Sequence, residues 1–312
     1  MDLRRDNIKR VTCAPAKLNL YLEVFDRRAD GFHELETLIV PLRLRDWLSL
    51  RSIPPAADGG PGEISLALHH AWPVRAASSP QPIPTGPTNL VVRALKLLQE
   101  RSGCPLGAQV DLAKRVPAGA GLGGGSSDAA AALRLANRAW QLHWDQQRLA
   151  ALAAEIGSDV PFFLFDGPAI CRGRGQLVER LSGLPKLHFV IVKPPVELAT
   201  SSVYQAHERL EQGSKQPARV RLDELVRTLQ NGAWRASRAW LHNRLTAAAE
   251  KLWPSLEKLR SAFDQLDFLA HQLAGSGSAY FGICRHAHHA RRLTTMLRMR
   301  QLGLVYATCS YP

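Results

Sequence analysis

The sequence predicts an α+β protein of two units, on three observations. An apolar–polar alternation opens the chain, a glycine-rich loop runs directly into alanine-dense stretches, and the second half interleaves strand and helix patterns afresh. Period two argues strand, and apolar spacings of three and four argue helix. The first strand spans residues 17–24, where Leu18, Leu20, Leu22 and Val24 alternate with Lys17, Asn19, Tyr21 and Glu23. Lys17 and Asn19 therefore share its polar face. Asp30-Gly31 is a turn, and residues 37–42 and 47–51 read as further strands. Residues 54–87 hold eight of the 20 prolines and form a surface connection with one short strand at 63–68. Thr88 or Asn89 then caps a helix with Leu90, Ala94, Leu97 and Leu98 on its apolar face. Residues 109–114 lead as a strand into the glycine-rich loop. Helices follow at 126–140 and 146–156, the second ended by Gly157.

The basic segment 171–175 marks the boundary between the units, set here as 1–172 and 173–312. The second unit opens with a strand at 186–192. Helices are expected at 223–230, 233–249 and 255–266. A strand at 279–283 follows Gly275-Ser276-Gly277-Ser278, and a helix at 286–297 and a strand at 304–308 close the chain. This split order is compatible with a ferredoxin-like layer.

Composition removes several classes of function. Hydrophobic residues make up 46% and charged residues 21%, which excludes disorder of the whole chain. No apolar run is long enough to span a bilayer, and no apolar stretch follows the charged amino end, so no secretory signal is expected. The five cysteines are an odd, scattered set without a Cys-x-x-Cys, which supports neither a disulfide framework nor a structural zinc site. A reducing cytoplasm is the expected home. Oligomeric state leaves no mark in the sequence. The formal net charge is +13, which raises the question of a polyanionic partner. The stretch 285–300, with Arg291, Arg292, Arg298 and Arg300, is the strongest case for nucleic acid. It has no interleaved aromatic residue, so a solvated helix face explains it more simply. We expect no nucleic-acid partner and no membrane.

The densest signal is Pro117-Ala118-Gly119-Ala120-Gly121-Leu122-Gly123-Gly124-Gly125-Ser126-Ser127. Glycines let the backbone turn amides inward and approach a ligand closely. A helix starting just beyond adds free N–H groups and a positive dipole end, so the segment suits phosphate. It holds a Gly-x-Gly-x-x-Gly, which is weak alone, and it lacks the Gly-Lys-Ser/Thr of a Walker loop.

This loop resembles the phosphate loop of the GHMP small-molecule kinases, a family that includes galactokinases, homoserine kinases and mevalonate kinases. Four blocks are more specific still: Ala14-Pro15-Ala16-Lys17-Leu18-Asn19-Leu20, Arg28-Ala29-Asp30-Gly31-Phe32-His33, Gly157-Ser158-Asp159-Val160-Pro161-Phe162-Phe163 and Leu273-Ala274-Gly275-Ser276-Gly277-Ser278. In this order they resemble the branch of the family that phosphorylates a diphosphocytidyl alcohol in the methylerythritol phosphate route to isoprenoids. The resemblance implies a two-domain fold, an amino-terminal ribosomal protein S5 domain 2-like domain and a carboxy-terminal ferredoxin-like domain, with the active site between them.

It further implies that ATP lies on Pro117 to Ser127 with Mg²⁺ and that the 2-hydroxyl of the alcohol is the acceptor. Asp159 is then the catalytic base and Lys17 its cationic partner. Without the resemblance, Asp159 reads as a helix cap and Lys17 as a surface lysine. Asn19, Phe32, His33, Tyr204, Gly275, Ser276 and Gly277 are the substrate residues: His33 reads the cytosine edge, Phe32 stacks on the base, and Tyr204, placed ahead of a helix, is a second wall. Phe32 stands where the family more often has Tyr, which keeps stacking and gives up a hydroxyl. Ser127 is the metal candidate, and Asn89 a further candidate for holding the nucleotide beside its role as a cap. Gln176 stands where the family usually has Glu. The alternatives are a homoserine or mevalonate type of kinase, or a basic non-enzymatic nucleic-acid-binding protein.

Overall fold

The computed structural model describes residues 8–70, 82–211, 221–233 and 240–311. The opening alternation builds β1 (Arg10–Arg27), which pairs antiparallel with β2 (His33–Ile53). The two strands expected at 37–42 and 47–51 are one. Leu42, Leu44 and Asp46 continue the inward period while Arg43 stays exposed, so the alternation never breaks. The length of β2 lets its far edge hold two partners, β4 (Gly107–Lys114) along residues 47–53 and β5 (Ala169–Gly173) along 35–39. β3 (Ile64–His70) adds in parallel beyond β4, and β6 (Leu177–Arg180) adds beyond β5. The rest of the proline-rich stretch includes residues 71–81, outside the described residues. The boundary expected between residues 172 and 173 falls within β5, and β6 still belongs to this sheet.

Three helices cover one face: α1 (Leu90–Ser102), α2 (Gly124–Ala139) and α3 (Gln146–Ile156). α1 starts where expected. The Asn89 side chain accepts from Val91 N at 2.9 Å and donates to the Pro84 carbonyl at 2.7 Å. Its inward face is Val91, Val92, Ala94, Leu95 and Leu98, packed with the alanines of α2 and with Leu48, Leu50 and Val110 of the sheet. Burial of each of these leucines contributes roughly 1.5–3 kcal/mol. α2 starts at Gly124, two residues before the expected start, because Gly123 at φ +68° turns the chain into the helix. Neither Ser126 nor Ser127 is its cap.

The second sheet runs β11 (Leu304–Cys309), β7 (His188–Lys193), β10 (Tyr280–Cys284), β9 (Ala270–Leu273), all antiparallel. Between β7 and β9 lie α4 (Thr200–Glu211), α5 (Arg221–Gln230), α6 (Thr246–Leu252) and α7 (Ser255–Asp264), and α8 (Ala287–Met299) joins β10 to β11. This is the βαββαβ order of a ferredoxin-like layer. One face carries Phe189, Ile191, Phe281 and Ile283 against Leu18, Leu20, Val40 and Leu42 of the first sheet, so a single apolar cluster joins the two sheets. The other face packs on α6, α7 and α8. No helix among the described residues is long and apolar enough to cross a membrane.

Of the helix expected over 233–249, only residues 246–249 are helical among those described, as the start of α6 (Thr246–Leu252). Residues 234–239 lie outside the described residues, and β8 (His242–Asn243) then runs parallel to β1 before α6 begins. Tertiary partners override the helical pattern here. Asn243 Nδ2 donates to the carbonyls of Leu273 at 2.9 Å and Gly275 at 2.8 Å, and Oδ1 accepts from Leu245 N at 3.0 Å. An asparagine serving three backbone groups holds the chain out of a helix and fixes the turn after β9.

Candidate active site

A cleft of about 980 Å³ opens between the first sheet with the glycine-rich loop on one side and α4 with the turn after β9 on the other, and most residues singled out in the sequence line it. At its floor the Lys17 ammonium lies 3.3 Å from Asp159 Oδ2 and 2.6 Å from Asn19 Oδ1. The polar face of β1 is therefore not a solvated face, since Lys17 is 4% and Asn19 3% exposed. Asn19 Nδ2 donates in turn to Thr37 Oγ1 at 2.8 Å, which donates to the Tyr21 carbonyl at 2.6 Å. This chain of bonds orients Asn19 so that its oxygen, an acceptor, faces the ammonium. Asp159 does not cap a helix. The following 3-10 turn, Pro161–Leu164, starts from Val160 with no side-chain cap. The Asp159 side chain keeps 37% of its surface open to the cleft, as an acceptor of a substrate proton must. Beneath the pair, burial first and the Asp159 charge second push the Cys171 thiol up to about 12, so it stays neutral.

The glycine-rich loop is pinned from outside. The carbonyls of Gly119, Ala120 and Leu122 accept from Ser278 N at 3.4 Å, Ala279 N at 3.2 Å and Lys17 N at 2.9 Å. In a trans peptide the N–H opposes the C=O, so these bonds turn the amides of the loop toward the cleft. The first turn of α2 adds its own free N–H groups. Pro117 to Ser126 line the cleft and Ser127 does not. Gly121 has φ +72°, and a Cβ there would lie 1.9 Å from the Ala274 carbonyl oxygen. Gly119, at φ +59°, would meet only the flexible side chain of Glu197. We therefore expect Gly121→Ala to cost about 1–3 kcal/mol and to raise KM for ATP, with Gly119→Ala clearly milder. Thermal melts and ATP titrations of both variants check this, and equal behaviour of the two would contradict it.

At the other end of the cleft, His33 Nδ1 lies 3.0 Å from the Phe25 carbonyl and Nε2 lies 3.0 Å from Glu208 Oε1. The Tyr204 ring stands 5.5 Å from the imidazole, centroid to centroid. Tyr204 lies inside α4 rather than ahead of a helix. Burial, and after it the charge of Asp159, push its phenol well above its ordinary range, so it stays neutral. Phe32 is 47% exposed at the tip of the β1–β2 turn, with the Arg174 guanidinium 4.8 Å over its ring. Gln176 accepts from Arg174 N at 2.8 Å and so shapes the turn that carries this arginine. Gly275 and Ser276 line the cleft between the two ends, Ser276 Oγ lies 3.0 Å from Thr200 Oγ1, and Gly277 lies behind them.

Behind the glycine-rich loop lies a buried ion triad. Lys114 Nζ lies 2.5 Å from Asp46 Oδ2 and 2.7 Å from Asp128 Oδ2. Asp46 Oδ1 also accepts from the backbone N–H groups of Arg115 and Val116. Burial pushes the Asp128 carboxyl upward against the pull of Lys114, and the neighbouring Asp46 adds to the rise. Asp128 pairs with Lys114 at 2.7 Å, and Arg134 pairs with Asp166 at 3.3 Å. Ser127 Oγ and Asp128 Oδ1 are buried without a hydrogen bond.

Thr37, Glu208, Arg174, Asp46 and Lys114 were not legible as site residues. Only the scarcity of lysine, nine in 312 residues, marks Lys114 at all.

Residues 89–167 match the GHMP kinases N terminal domain, and residues 224–299 match the GHMP kinases C terminal domain. The 4-diphosphocytidyl-2-C-methyl-D-erythritol kinase of Pelotomaculum thermopropionicum is 37% identical over 285 residues, covering 91% of this chain and 92% of that one. A crystal structure of a 4-(cytidine 5'-diphospho)-2C-methyl-D-erythritol kinase superposes with a TM-score of 0.75 at 34% identity, covering 98% of this chain and 100% of that one. Homoserine kinase from Cytophaga hutchinsonii superposes at 0.71 with 19% identity, covering 100% and 96%, a likeness of fold alone. With similarity of this extent at this identity, the chain belongs to the GHMP kinases and, within them, to the 4-diphosphocytidyl-2-C-methyl-D-erythritol kinase family.

Proposed function

We propose that this protein is an ATP-dependent kinase acting on the 2-hydroxyl of 4-diphosphocytidyl-2-C-methyl-D-erythritol, in the methylerythritol phosphate route to isoprenoids. The observation that carries the reading is the Lys17–Asp159 pair at 3.3 Å, seated in one cleft with the phosphate loop and, at the far end, His33. Phosphoryl transfer asks the protein mainly for alignment and for neutralisation of charge. The Asp159 carboxylate takes the proton of the acceptor hydroxyl. Lys17, held by Asn19, sets a positive charge beside that carboxylate and polarises the hydroxyl. Amides of the Gly119–Gly125 loop and the α2 amino end hold the phosphates of ATP. Gly275 and Ser276 face the acceptor end, and Phe32 and Tyr204 flank the base.

Mg²⁺ fits the oxygen donors at the start of α2. Ser127 Oγ and Asp128 Oδ1 are buried and carry no hydrogen bond. No group of three or more His, Cys, Asp or Glu metal ligands exists among the described residues, so these oxygens would hold the ion together with phosphate oxygens and water. Bound there, the ion would neutralise charge on the phosphates.

The five cysteines are free thiols, which favours a reducing cytoplasm. A nucleic-acid reading finds little support in 285–300. Arg285 and Arg292 both hydrogen-bond Asp267, and Arg298 and Arg300 bond the carbonyls of Val305 and Ala262. Partial burial would raise the Asp267 carboxyl, but bonds from His289 and Arg285 outweigh it and hold it at about 2.

The test is substrate competition. Purified protein with ATP and Mg²⁺ should phosphorylate the cytidyl alcohol and leave homoserine and mevalonate unchanged. Turnover of homoserine with none of the cytidyl alcohol would overturn the assignment. His33→Ala should mainly raise KM for the cytidyl alcohol and leave KM for ATP near wild type, and a defect confined to ATP would remove His33 from the base site.

A further inference from the structure

We propose that Glu208 determines base specificity, its carboxylate accepting a hydrogen bond from the exocyclic amino group of cytosine and so rejecting uracil. This rests on the cytidyl reading above. His33 lies between two acceptors, Nδ1 at 3.0 Å from the Phe25 carbonyl and Nε2 at 3.0 Å from Glu208 Oε1, so the imidazole and Oε1 are engaged with each other. The second carboxylate oxygen, Oε2, is the acceptor that the base end of the cleft offers. Cytosine presents an amino donor at N4. Uracil presents the O4 acceptor in its place and would set acceptor against acceptor.

Further details fit this role. Glu208 lines the cleft, and its side chain is 36% exposed, so a ligand can reach it. Oε1 takes both of its close charged contacts, His33 Nε2 at 3.0 Å and Arg27 Nε at 3.8 Å, leaving Oε2 for the base. Arg27 is itself anchored on the Gly31 carbonyl at 3.1 Å, which holds its cation on the Oε1 side of Glu208. Glu208 lies on α4 four residues after Tyr204, one helical turn away, so the wall beside the base and the reader of its edge come from one helix face. A carboxylate accepting from the cytosine amino group is an established pairing chemistry.

The experiment compares kcat/KM for the cytidyl alcohol and for its uridyl analogue in the wild type, Glu208→Gln and Glu208→Ala, with circular dichroism to check folding. The wild type should prefer the cytidyl compound, and both variants should lose about tenfold of that preference, mainly through KM. Gln can turn its amide either way, so it should accept both bases. An unchanged ratio in both variants overturns the proposal, including the case in which both substrates weaken equally, as a merely structural Glu208 would produce. A wild type that turns over neither nucleotide compound overturns the cytidyl reading itself, which is a separate result from an unchanged ratio.

Discussion

Asp159→Asn is expected to lower kcat by on the order of 10²-fold or more while ATP and the cytidyl alcohol still bind. Asparagine keeps the shape of the side chain and removes both its charge and its ability to take a proton. The environment sharpens the expectation. Lys17 has two anionic or dipolar partners, Asp159 Oδ2 at 3.3 Å and Asn19 Oδ1 at 2.6 Å. Losing the first leaves the ammonium on the second, and the Asn19–Thr37–Tyr21 chain of bonds that holds Asn19 does not depend on Asp159. The substituted floor should therefore keep its form, so a fall in kcat reports the chemistry and not collapse of the cleft. Asp159 is over a third exposed but Lys17 is 4% exposed, so losing the carboxylate leaves a buried ammonium on Asn19 alone and the melting temperature should fall without loss of the fold. The measurement is steady-state kinetics with each substrate varied, beside a thermal melt. Near-wild-type kcat would eliminate Asp159 as the base. A rise in both KM values with little change in kcat would make it a binding residue instead.

How much of this was legible depends on whether the signal is local. The alternation around Leu18 placed Lys17 and Asn19 on one face, and the structure joins them by a hydrogen bond. The run of glycines marked the loop, because only such a run lets a backbone turn its amides into a cleft and pass within van der Waals distance of Ala274. Groups that meet through the fold were invisible. Glu208 reaches His33 across 175 positions and Lys114 reaches Asp46 across 68, and nothing near either residue announces the partner. Secondary structure erred in the same way. The stretch at 233–249 carries a helical pattern, yet Asn243 is drawn onto the carbonyls of Leu273 and Gly275, and β8 forms where the local pattern alone would have continued a helix. Tyr204, expected ahead of a helix, lies within α4, which starts at Thr200.

Lys114→Met should destabilise the protein by about 3–5 kcal/mol, the largest stability effect expected of any single change at this site. Lys114 is 8% exposed, Asp46 fully buried and Asp128 3% exposed, so one ammonium compensates two carboxylates away from water. Methionine keeps the length of the stem and removes the charge, so the loss measures stranded carboxylates rather than a cavity. Asp128 would lose the ammonium with its Oδ1 already unpartnered, whereas Asp46 keeps two backbone donors. Asp46 Oδ1 accepts from the N–H groups of Arg115 and Val116, which fastens the exit of β4 just before the phosphate loop. Asp128→Asn is the informative counterpart. It removes the carboxylate that burial already pushes toward protonation and leaves Lys114 and Asp46 as a one-to-one pair. Its cost should be well below that of Lys114→Met, since the amide can still accept from the ammonium. Urea unfolding of both variants decides the matter. If Lys114→Met stays within about 1 kcal/mol of the wild type, solvent or another cation must reach Asp46, and the triad is not what holds the loop in place.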